Sequence, residues 1–152
     1  MQLQHTGGLV GLLSSTLVGI LLALGGQPVA FAGEYLVIWL ALGIPLVAGG
    51  YLYDHLGEQG RLRKAYLFHA MVFWMIAFPL CRLFQDLAVG LVVRLVTGPE
   101  VGVLPYYLSS PADILGFVVY QSIVGSAYGM GFLMLHGRLT SLFGWVRKYR
   151  NG

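Results

Sequence analysis

An all-α integral membrane protein built as a four-helix transmembrane bundle is the fold the sequence predicts, and three observations predict it. Hydrophobic residues make up 57% of the chain and charged ones 10%. Soluble domains carry about 25% charged residues, so this chain has too little polar surface to cover a core in water. Uncharged runs recur along it, each able to supply the about 20 helical residues that cross a bilayer. Lysine and arginine gather between and after these runs rather than along one stripe, which is membrane-flanking charge and not a nucleic-acid-binding face. Intrinsic disorder is excluded because it requires little apolar content and much charge.

The first run extends from Thr6 to Gly33 without a charged side chain. Its span is placed at 7–26 and is stopped by Gly25-Gly26-Gln27-Pro28, since paired glycines and proline interrupt helices. Met1-Gln2-Leu3-Gln4-His5 lacks the basic residues that open a secretory signal, and Gln2 does not fit myristoylation, so a retained span is expected here and no lipid anchor. The second uncharged run, Tyr35 to Tyr53, has nineteen residues and gives span 35–53, ending at Asp54-His55 before a polar loop with Arg61, Arg63 and Lys64.

The third run is too long for one perpendicular crossing. Tyr66 to Thr97 is 32 residues, or about 48 Å of helix at about 1.5 Å per residue. It contains Pro79, Arg82, Asp86 and Arg94, and proline removes a helix donor and crowds the preceding turn. The expectation is a kinked or split third helix, with a span at 65–82 and an amphipathic segment at 83–97 on the outer side. Leu83, Leu87, Leu91 and Leu95 recur there every four residues beside a polar stripe of Arg82, Asp86, Gly90 and Arg94, an amphipathic helical pattern. Lying in the interface is favoured over continuing the third helix.

Gly98-Pro99-Glu100 then breaks the helix, and Pro105, Tyr106 and Tyr107 place aromatic rings at headgroup depth. Ser110-Pro111-Ala112-Asp113 puts serine at an N-cap, proline at the first helical position and a carboxylate at the third, each suited to unpaired amides. Span four is placed at 113–135, followed by a basic tail at 138–152 that also carries Trp145.

Of nine lysines and arginines, three lie in the second connection, four follow span four, and the first connection has none. The basic segments belong on one side of the membrane, so an even number of crossings separates them. Four spans result, forming one transmembrane domain over 1–152 with both termini on the cytoplasmic or equivalent side.

Helices in lipid associate through close approach of small residues. Gly7, Gly11, Ser15, Gly19 and Ala23 form a ridge on span one, Ser122, Gly125, Ser126 and Gly129 supply pairs on span four, and Gly43, Gly49 and Gly50 surround Pro45 on span two. Joining helices within one chain is favoured over joining separate chains.

Two constellations carry candidate chemistry. Toward the outer side, Arg82, Asp86 and Gln121 are expected to meet Trp39 and Glu34. Charges near hydrocarbon pair or line cavities, so these residues make either an ion pair fixing the third helix or a pocket for a lipid headgroup, quinone or small solute. At the opposite side His5, His55, His69 and His136 each sit near a helix end. His69 and His136 are the pair to test for haem or metal, but no HxxxH spacing occurs and only one depth is represented, so interfacial histidines are favoured. Cys81, the single cysteine, forms no intrachain disulfide and reads as a small buried hydrophobe.

No nucleophile stands beside an identifiable base and no carboxylates pair within the spans, so catalysis is not favoured. The first span also lacks the carboxylate of a small proton-driven exporter. The leading expectation is a non-catalytic accessory or structural subunit whose partners are the bilayer and other membrane subunits or itself. A transporter or binding protein for a lipid, quinone or small solute comes second, and a haem- or metal-binding redox subunit third.

Overall fold

Four apolar segments become four helices: α1 (Thr6–Leu24), α2 (Glu34–Glu58), α3 (Leu67–Thr97) and α4 (Pro111–Arg150), with a single 3-10 turn at Tyr106–Leu108 before α4. The computed structural model describes residues 6–26, 29, 31, 33–62, 66–100, 102 and 104–150, the side chains at 144 and 146–150 excepted. His5, Gln27, Pro28, Arg63 and Lys64, and the side chains of Arg147, Lys148 and Arg150, lie outside what is described. All four helices are long and apolar enough to cross a membrane, and there is no strand among the described residues.

Three expected boundaries move. The segment 83–97 does not stand apart, because α3 runs unbroken from Leu67 to Thr97 with Pro79 as a buried interior residue. Proline deprives the helix of one hydrogen bond, a loss that packing against neighbouring helices offsets. The helix ends at Gly98, whose φ of 114° lies where side chains other than glycine's are strained. Asp54 and His55, expected to close the second span, lie inside α2, which continues to Glu58. The first strong breaker is Gly60, with φ 72°. The described part of the basic tail continues α4, which runs as helix to Arg150.

Consecutive helices run antiparallel. Along α1 and α2, Gly7 meets Gly50, Gly11 meets Leu46, Ser15 meets Gly43 and Gly19 meets Trp39. Gly7 and Gly50 touch so closely that a Cβ on either would overlap the other's carbonyl. On the other pair, Gly125 lies against the Trp74 backbone and Gly129 against that of Ala70, while Ser122 and Ser126 are half-buried beside them. The small-residue ridges therefore join helices of the same chain. Two hairpins result, α1 with α2 and α3 with α4, connected mainly by α2 against α3.

The core between the hairpins is built of Val10, Leu42, Leu46, Tyr53, Ala70, Trp74, Cys81 and Phe132. Cys81 is buried as expected. Trp74 stands at the centre, edge-on to Tyr128 at 4.7 Å and to Phe73 at 5.2 Å. Outward-facing leucines and isoleucines such as Leu13, Leu17, Ile20 and Ile44 remain more than half exposed on the first hairpin.

Candidate functional site

The antiparallel order gives the bundle two ends with different chemistry. One end holds the start of α1, the last turns of α2, the start of α3 and the second half of α4, and is called basal here. The other holds the α1–α2 connection, the middle and end of α3 and the start of α4.

At that second end a cavity of about 820 Å³ opens between the hairpins. Leu22 and Ile38 line it from the first hairpin, and Arg82, Gln85, Asp86, Tyr107 and Gln121 are its polar wall on the second. These residues converge because Arg82, Gln85 and Asp86 are three and four apart on α3 and so share a face. The guanidinium donates to Gln85 Oε1 and pairs with an Asp86 carboxylate oxygen at 3.1 Å. The Tyr107 hydroxyl donates to the other Asp86 oxygen at 2.8 Å, tying the 3-10 turn to α3. Phe117 of α4 stacks on the Tyr107 ring at 3.9 Å. Burial first, then the hydrogen bond and charge of Asp86, push the Tyr107 phenol well above its ordinary pKa, so it remains a donor through the neutral range.

Arg82, Asp86 and Gln121 thus meet as the sequence led one to expect, but Trp39 does not join them. Its indole donates to the Thr16 hydroxyl at 3.2 Å and lines a separate apolar groove of about 660 Å³ on the α1–α2 face. The reason is angular: Ile38 faces the cavity, and the next residue on a helix points about 100° away. Glu34 opens α2 outside the cavity lining. Gln85 and Tyr107 were missed. The i, i+3 relation to Arg82 was available for Gln85, but Tyr107 reads as a headgroup aromatic beside Tyr106. In the fold Tyr106 is exposed and Tyr107 turns inward.

The basal end holds a constellation the sequence reading also missed. Asp54 is 1% exposed. One of its oxygens accepts the Gly7 amide at 2.7 Å and the other meets His136 Nε2 at 2.7 Å. This pair links α1, α2 and α4. Tyr53 packs edge-on to His136 at 6.1 Å and to Phe132 at 5.2 Å. Asp54 looked like the polar end of a span, yet it lies one helical turn beyond Gly50 and so on the same close-packed ridge. His136 and His69 have different surroundings: His69 lies half-buried in the first turn of α3, its ring 5.0 Å from that of Tyr66. Among the described residues no three His, Cys, Asp or Glu side chains are grouped to hold a metal ion.

Comparison with family models, curated proteins and solved structures returns no match to this chain.

Proposed function

We propose that this is a multi-pass membrane protein that binds a small amphiphilic solute, such as a lipid headgroup or a quinone, in the cavity between its two hairpins. The observation that carries this reading is the cavity itself, with one hydrogen-bonded polar wall of Arg82, Gln85, Asp86 and Tyr107 facing apolar residues of the other hairpin. Its volume falls within the roughly 300–1,000 Å³ of ligand sites. Ionisable groups within spanning helices are costly and tend to line solute paths. Association with other subunits has less support, because the small-residue ridges that could carry it are occupied within the chain. The basic second connection and the α4 tail both belong to the basal end, which the positive-inside rule assigns to the cytoplasm; the cavity then opens on the opposite face.

Gln121 provides the cleanest test, because it lines the cavity outside the Arg82–Asp86 network. Purified protein should gain thermal stability on addition of a lipid or quinone from a defined panel. Gln121→Leu should weaken that gain while leaving the unliganded melting temperature nearly unchanged, and Arg82→Ala should abolish it. Failure of every lipid and quinone in the panel to shift the wild-type melting temperature would remove the reading.

A further inference from the structure

The basal pair has no part in binding at the cavity, and its composition calls for an account of its own. Asp54 has one oxygen on the Gly7 amide and the other on His136 Nε2, in a site where Asp54 is 1% and His136 8% exposed. A bilayer-spanning bundle needs no buried acid and imidazole merely to pack, since apolar residues of similar volume are as stable or more so. The pair also crosses between hairpins: Gly7 and Gly50 lock Asp54 to the first, while His136 belongs to the second.

We infer that the Asp54–His136 pair is a proton-binding site, and that the proton it holds keeps the basal end of the bundle shut. With one proton beyond the Nε2 hydrogen the pair is neutral, as carboxylate and imidazolium. When the Nδ1 proton passes to water, imidazole and carboxylate remain with a net charge of −1 in an apolar core. An unneutralised buried charge is disfavoured until water reaches it, even with the Gly7 amide and His136 Nε2 still donating to the carboxylate. Release of the proton therefore favours separation of α4 from α2 at this end.

The surroundings suit such a switch. From α1 the neighbours are the Gly7 amide and the buried Thr6. From α2 comes the Tyr53 phenol, with His55 and Glu58 further along the helix. From α4 come His136 and the Phe132 ring. From α3 come Phe73 and Trp74, with Ala70 packed into the same cluster and His69 one position before it. Rings then continue toward the cavity, from Phe132 to Trp74, Tyr128 and Phe78, one turn before Arg82. Trp74 Nε1 is buried there without an acceptor, so this layer between the hairpins is held by ring contacts and not by that donor. If the cavity binds a solute, as proposed above, opening the basal end against a proton makes the protein a proton-coupled carrier; that consequence alone rests on the cavity reading.

The test needs no ligand. In a Cys81→Ala background reconstituted in phosphatidylcholine vesicles, spin labels at Gln59→Cys and Ser141→Cys, both exposed positions near the basal end, report the spacing of α2 and α4. The spacing should lengthen as pH is raised and shorten again on return. Asp54→Asn cannot be left with the negative charge and should keep the short spacing as pH is raised, with unchanged helicity. A wild-type spacing that ignores pH, a response that survives in Asp54→Asn, or a change accompanied by lost helicity would each overturn the inference. Failure of every lipid and quinone in the panel to stabilise the wild-type protein, with these distances still responding to pH, would count only against the cavity reading.

Discussion

Asp54 and His136 make each other tolerable in a setting that would reject either alone. Removing one partner from a buried pair leaves an uncompensated polar or charged group, with a cost of about 3–5 kcal/mol. His136→Ala should therefore lower unfolding stability by that amount, measured by denaturation in detergent, and a loss near zero would show the pair to be solvated after all. Tyr107 acts at the other end through a hydrogen bond to a carboxylate, an interaction worth about 1.5–3 kcal/mol. Tyr107→Phe should cost about 2 kcal/mol and loosen the 3-10 turn. Because the folded-state phenol pKa is raised, its contribution is fully present below the ordinary tyrosine pKa of about 10 and is lost as pH climbs above that toward the folded value. In spectrophotometric titrations run side by side, Tyr107→Phe should show a smaller absorbance change above about pH 10 than the native protein, by the share of one tyrosine.

Among the helices, close packing and propensity pull in opposite directions at glycine. A Cβ at Gly50 meets the Gly7 carbonyl, whereas Gly131 has open space around it. Gly50→Ala should force α1 from α2 at a cost of about 1–3 kcal/mol, and Gly131→Ala should instead stabilise α4 by roughly 0.5–1 kcal/mol. Equal effects at the two positions, read from thermal denaturation, would contradict the packing described. The ridges themselves were legible from their four-residue spacing. The continuity of α3 was not, because a length argument treats a helix as perpendicular and Pro79 as a stop. Pro79 does not act as a stop once it is buried against neighbouring helices.

For the whole molecule, the distribution of basic residues called for an even number of crossings between the second connection and the tail, and the antiparallel order of four helices agrees. Membrane-impermeant thiol labelling in sealed vesicles should therefore modify cysteines placed at Gln59 and Trp145 from one face and at Tyr106 from the other; labelling of Gln59 and Tyr106 from the same face would break the arrangement. Composition and the spacing of charge were sufficient for the helix number, the small-residue ridges and the meeting of Arg82 with Asp86, because each depends on periodicity within one helix or on the hydrophobic length of a segment. Only the tertiary structure decided that Asp54 meets His136, 82 positions away, that Tyr107 turns inward, and that Trp39 faces α1 and not the cavity. Those outcomes depend on the rotation of one helix against another, which helices apolar on several sides leave undetermined until the backbones come into contact.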